Sequence, residues 1–181
     1  SACFDFEWIG QRAAGLQAVV HIPTVYANLT QYVQGMAGRF QRLIELPSPF
    51  WDIPLGRERC PLVPLRDAAA AFVGPQCIAY RELARAVIER HLAGLLRPPH
   101  ALKMQVDMMA YQCLLQAVNF HGLSSALKGT AAHFVLTEHD TGAVGPLFSV
   151  AERLGSEITV LPHSSYPTQP LPHSIRVRAI E

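Results

Sequence analysis

The hydrophobic pattern of the 181-residue chain changes its period once, near Gly129. Before this glycine, apolar residues recur every three or four positions, as they do on a helix with one face in a core. After it, the apolar runs are short, β-branched or alternating, and Gly142, Gly145 and Gly155 separate them, which is typical of strands. Because helices come first and strands follow, the pattern predicts the α+β class.

Prolines end most of the predicted helices, because proline cannot continue a helical hydrogen-bond ladder. The five predicted helices cover residues 6–20, 29–46, 65–73, 76–96 and 101–120. The last two are expected to pack antiparallel, since the Arg97-Pro98-Pro99 break is short. Leu83, Val87 and Leu115 are then expected to be buried.

The strands are predicted at residues 133–137, 147–153, 157–161 and 174–180. We therefore predict an N-terminal helical bundle domain (1–129), followed by an incomplete antiparallel β-domain (130–181).

Charge and cysteine usage exclude several classes of function. Fifteen basic residues nearly balance fourteen acidic ones, and neither sign forms a block. This argues against a nucleic-acid surface. No apolar run approaches the roughly 18 residues of a membrane span. The four widely spaced cysteines indicate reduced thiols and a cytoplasmic location.

Common catalytic and metal-binding motifs are missing. The histidines, among them His133 and His139, form neither HxH nor HExxH, so no metal site is predicted. No GxSxG, P-loop or GxGxxG is present. Ser124 and Ser125 lie near His121 without a third partner, and we therefore assign no catalytic residue.

The most informative segment runs from Gly129 to Ala143, where an apolar strand leads into a turn that closes on Gly142. Such a strand end presents backbone N–H and C=O groups together with a hydroxyl, and these could bind the edge of a planar heteroaromatic ring. An ordinary strand and glycine turn would leave the same pattern, so the residues alone leave both interpretations open.

The run Phe134-Val135-Leu136-Thr137-Glu138, followed by Gly142, resembles a signature of the acyl-CoA dehydrogenase and acyl-CoA oxidase superfamily. In that family a helical domain leads into a β-domain at this motif, and the resemblance extends over about residues 65–160. Ala143 and Val144 stand where the family has Ser and Asp, and His139 stands where it has Pro.

The resemblance implies an FAD-dependent oxidoreductase of fatty acid metabolism, acting on an acyl thioester by α,β-dehydrogenation or oxidation. It implies that Val135, Leu136, Thr137 and Gly142 contact the flavin. The family's C-terminal bundle, with its catalytic Glu, has no counterpart here. We therefore expect a homo- or hetero-oligomer, or a missing C-terminal segment, to complete the site. The alternative is a non-catalytic helical protein that mediates interaction or assembly.

Overall fold

The structure of the protein is a computed structural model that mixes helices and strands. It describes residues 2–21, 35, 39–47, 58–93, 95, 99–136, 145–160 and 177–179. The strands are β1 (Ala2–Phe4), β2 (Gln17–His21), β3 (Arg42–Glu45), β4 (Leu62–Pro64), β5 (Ala131–Leu136), β6 (Glu157–Val160) and β7 (Val177–Ala179). The helices are α1 (Phe6–Ala13), α2 (Leu65–Phe72), α3 (Gln76–Leu92), α4 (Pro99–Ala126) and α5 (Gly145–Leu154).

Five of the strands form one parallel sheet in the order β3-β2-β5-β6-β7. Counted along these five strands, the order is 2-1-3-4-5, one of the two common orders of open α/β sheets. The remaining two strands, β1 and β4, pair antiparallel in a small separate sheet.

Strand β5 lies at the centre of the parallel sheet and is buried on both faces. Its side chains from Ala132 to Val135 are all buried. Phe134 joins Ile158 of β6 in the hydrophobic core that the helices cover, whereas His133 and Thr159 lie on the opposite face. A strand covered on both faces has a continuous apolar run rather than strict alternation.

Helices α1, α4 and α5 cover one face of the sheet. Helix α1 begins at an N-cap, where the Asp5 carboxylate accepts a hydrogen bond from the Trp8 N–H at 2.9 Å. Its buried residues Phe6 and Ile9 pack with Leu123 of α4 in the same core. Among the described residues, no helix is both long enough and apolar enough to cross a membrane.

The predicted mixture of helices and strands is confirmed, but the predicted arrangement is wrong. The large sheet is parallel, not antiparallel, and β2 and β3 come from the part of the chain predicted to be wholly helical. Strand β2 pairs directly with β5, so strands from both sides of the predicted boundary at residues 129–130 share one sheet.

Individual elements differ from their predictions for identifiable reasons. The predicted helix at 6–20 ends at Ala13, and its second half is β2. Residues 42–45, predicted as the end of a helix, form β3 because they pair with β2. Residues 147–153, predicted as a strand, lie in α5. Their buried positions follow a helical period, and the buried members are Leu147, Phe148, Val150 and Ala151.

Helices α3 and α4 form the predicted pair, with Arg85 of α3 and Asp107 of α4 joined by an ion pair at 2.5 Å. The prediction that Leu83 and Val87 are buried is wrong, since they are 64% and 48% exposed. Leu115 is half-buried against the core. Helix α4 is the one described element against which α3 packs extensively, so its other face is open.

The small sheet carries two buried thiols. Cys3 lies on β1 and Cys60 just before β4, and the Cys60 thiol donates to the Pro61 carbonyl at 3.2 Å. Burial raises the pKa of Cys3 to about 11 and that of Cys60 to about 12, and the Asp5 carboxylate also raises both. Cys113, in contrast, is exposed.

We predict that Gly122→Ala destabilises the fold by about 1–2 kcal/mol. A methyl group at this position would overlap the buried Phe6 ring, and overpacking outweighs the gain of about 1 kcal/mol that alanine brings to a helix. Urea unfolding measures the change. Gly10→Ala is the matched control, because its methyl would meet the Ala126 carbonyl at an ordinary 3.4 Å. Equal stability of the two variants would contradict this packing.

Stability should fall above about pH 9, partly because of Cys60. Below its ordinary pKa of 9.0 the thiol is neutral in both states, so its contribution is fully present. Above it the unfolded thiol ionises while the folded one keeps its proton, and stability is lost up to about pH 12.

Urea unfolding at about pH 8 and about pH 10.5 should therefore show a smaller loss in Cys60→Ala than in the wild type, by on the order of 1–2 kcal/mol. Cys113→Ala, at an exposed thiol, should lose as much as the wild type. An equal loss in all three proteins would contradict the assignment.

Candidate functional site

Two of the four residues predicted to bind a cofactor lie at the end of the central strand. Val135 and Leu136 are the last two residues of β5, and the Val135 side chain is fully buried. Thr137 and Gly142 lie outside the described residues. The predicted motif therefore begins at the carboxyl end of β5.

The strand order reverses at this end of the sheet. From β2 the chain moves to β3 on one side, and later returns to form β5 on the other side of β2. The crossover connections of β2 and β5 diverge at such a reversal and leave a crevice outside the carboxyl ends of the strands. His21 of β2 and Val135 of β5 are paired in register beside this crevice.

The N-terminus of α5 lies at the same edge. Helix α5 begins at Gly145, eight residues after β5 ends, and leads back to the amino end of β6. Because β5 and β6 are parallel, the connection between them starts at the carboxyl edge. Unpaired N–H groups at a helix N-terminus favour an anionic group such as a phosphate.

A buried carboxylate ends the neighbouring strand. Glu45 is the last residue of β3 and is paired in register with His21. Its side chain is fully buried, and its backbone bonds Glu58 and Cys60 on the segment that leads to β4. The carboxyl edge therefore has an acidic residue one strand away from the reversal.

A second polar group lies on the sheet face opposite the helices. His133 Nε2 is hydrogen-bonded to Thr159 Oγ1 at 2.7 Å, and His133 Nδ1 lies 3.4 Å from a Glu157 carboxylate oxygen. We call these three residues the His133 cluster. The Phe40 ring meets the imidazole edge-on, with the ring centres 5.5 Å apart.

A cavity of about 330 Å³ opens beside the His133 cluster at the amino edge of the sheet. Phe40, His133, Ser156 and Glu157 contribute to its wall, together with Thr130. The volume is within the range of small-molecule sites. This cavity lies at the opposite edge from the predicted motif.

The His133 cluster resembles a carboxylate–imidazole–hydroxyl relay in composition only. Thr159 is 2% exposed, so its hydroxyl has no route to a substrate. With a proton on Nδ1, facing Glu157, Nε2 accepts the Thr159 hydroxyl proton, and both ring nitrogens are engaged. The geometry therefore indicates a buried polar contact that fixes β5 against β6.

Sequence reasoning missed both Glu45 and the His133 cluster. His133 was considered only as a metal ligand, and among the described residues no three His, Cys, Asp or Glu side chains are placed to share an ion. The signal for the cluster was the alternation of Glu157 and Thr159 around the apolar Ile158. Parallel pairing, which the sequence did not indicate, brings that alternation beside His133.

Comparisons of the chain with protein-family models, with curated proteins and with solved structures found no match in any of the three.

We predict that Thr159→Val destabilises the protein by about 1–3 kcal/mol. Valine keeps the shape of the side chain but removes a buried hydrogen bond to His133 Nε2. Chemical denaturation measures the loss. Ser156→Ala, a half-buried position at the cavity wall, serves as a control and should change stability by less than about 0.5 kcal/mol. A neutral Thr159→Val would show that the His133 contact contributes nothing.

Proposed function

We propose that this protein binds a nucleotide-type ligand at the carboxyl edge of its parallel sheet, between β2 and β5. The observation that carries this proposal is the reversal of strand order at β2 and β5. In open α/β sheets, ligands bind in the crevice that such a reversal creates.

Three further features support an anionic, hydrogen-bonding ligand at this edge. The N-terminus of α5 follows the crevice and favours a phosphate. The connecting segment 137–144 carries hydroxyl and glycine residues in its sequence, with Thr137 first and Gly142 near the helix. A ligand here would meet backbone N–H groups and hydroxyls, as nucleotide phosphates do in other α/β proteins.

FAD is one candidate for this ligand, and oxidation of an acyl thioester is the corresponding reaction. Its support is that Val135 and Leu136 end β5 at the crevice. The antiparallel β-domain of the resembling family is absent from the described sheet, which is parallel. The flavin would therefore bind by the general rule for α/β sheets, and a carboxylate that removes the α-proton would have to come from outside the described residues.

The alternative of a non-catalytic assembly protein has one specific observation in its favour. Helix α3 exposes large apolar side chains, among them Ile78 (68%) and Leu83 (64%). Exposed apolar surface of this kind marks interaction sites. The two functions are compatible, because α3 packs extensively against α4 rather than against the sheet.

The proposal predicts that nucleotides raise the melting temperature of the protein. Titration with FAD, FMN, NAD and ATP should identify at least one that stabilises it. At 100 times the dissociation constant the gain is about 2.7 kcal/mol. Thr137→Val should weaken the effect because it removes a hydroxyl at the crevice.

Ser156→Ala, at the amino-edge cavity, is the control and should retain full binding. No stabilisation by any of the four nucleotides would contradict the proposed function. Binding that Ser156→Ala abolishes and Thr137→Val leaves intact would instead move the site to the amino edge. A yellow complex with flavin absorbance would select FAD or FMN among the ligands.

A further inference from the structure

We propose that two copies of this chain associate through helix α3, with the two α3 helices antiparallel about a two-fold axis near Arg85. The interface would consist of Tyr80, Leu83 and Val87 from each copy. This surface is distinct from the carboxyl edge of the sheet, so the inference goes beyond the proposed ligand site.

The apolar stripe on α3 is exposed where a soluble helix usually carries polar residues. Tyr80, Leu83 and Val87 are 42%, 64% and 48% exposed. Their spacing of three and four residues places them on one side of the helix. Arg85 lies on the opposite side, where it pairs with Asp107 of α4. The stripe therefore points away from the neighbour that α3 already has.

The stripe is self-complementary. From Tyr80 through Leu83 and Val87 to Arg90, the steps are three, four and three residues, which read the same in both directions. An isologous two-fold interface needs this symmetry, because each residue must face its counterpart in reverse order. Antiparallel pairing about Arg85 places Leu83 of one copy opposite Val87 of the other, twice.

Charges at the rim fit the same register. Arg90 of the second copy falls opposite Tyr80, over whose ring a guanidinium can lie. Glu82, about half a turn further along α3, is within reach of that Arg90. Glu82 and Arg90 are both exposed in the single chain. Each contact occurs twice, so the opposite charges specify the antiparallel orientation.

Small residues beside the stripe allow close approach. Ala79 and Ala86 flank Leu83 on α3, and both are exposed. Alanine at flanking positions leaves the two helix backbones free to approach, so that the central leucine and valine side chains interdigitate. A second copy of this chain thus fits the stripe in shape, in apolar character and in charge.

The test is the mass of the protein in solution, by sedimentation equilibrium across the micromolar range. The wild type should sediment at twice the 19.9 kDa of one chain. Leu83→Lys should weaken association by about 100-fold or more, because it buries a charge at the centre of the interface. Ile78→Lys is the matched control. It is equally exposed on the same helix but lies off the stripe, and it should remain dimeric.

A charge reversal tests the register. Glu82→Arg and Arg90→Glu should each weaken the dimer by about tenfold, and the double variant should recover most of the loss. Circular dichroism should be unchanged throughout, since all these positions are exposed.

A monomeric wild type would overturn the proposal. So would a dimer that survives Leu83→Lys, because association would then use another surface. Equal loss in Ile78→Lys and Leu83→Lys, or a double charge variant no better than the single ones, would also contradict the antiparallel register.

Discussion

The parallel pairing of β2 with β5 is the constraint on which the rest of this structure depends. These strands are separated by more than a hundred residues, and the register Val19–His133 and His21–Val135 joins them at the centre of the sheet. Once they pair, β3 can lie only on the outer side of β2, and β6 on the outer side of β5. The reversal of strand order follows from this pairing, and the crevice at the carboxyl edge follows from the reversal.

Burial maintains this arrangement on both faces of β5. Phe134 contributes to the core beneath α1, α4 and α5, and on the opposite face His133 bonds Thr159 of β6. Because one face is apolar and the other has a satisfied polar contact, shifting the strand by one residue would bury His133 in the core and expose Phe134 to the polar face. Such a shift costs both packing and a hydrogen bond. The side chains thus specify the register.

The sequence predicted local elements better than their assembly. Helices α2, α3 and α4 and strands β5 and β6 were found, because their periodicity or their glycine and proline boundaries are strong. Helix α5 was mistaken for a strand although Leu147, Val150 and Ala151 follow a helical period, because the neighbouring glycines favoured short strands. Strand β3 was missed for a different reason. Arg42 to Glu45 has no strong local preference, and only pairing with β2 makes it a strand. Parallel pairing is a non-local property that no short motif encodes.

The predicted site was half described by the structure. Val135 and Leu136 lie at the reversal, although the motif was assigned to a β-domain of another kind. The exposed stripe at Leu83 was predicted to be buried, since its spacing is that of a core-facing helix. A helix that pairs with a second copy carries the same pattern as one that packs in a core, so periodicity alone cannot distinguish the two. Only the position of α3 on the outside of α4 separates them.

Amide chemical shifts of isotope-labelled protein during titration with FAD would test the central claim most directly. The account predicts that the largest shifts occur at the carboxyl edge, at His21 and Leu136 and in the residues that follow them. It predicts small shifts at Ser156 and Glu157 of the amino edge. Shifts concentrated at Ser156 and Glu157, or on α3, would contradict a ligand site at the reversal between β2 and β5.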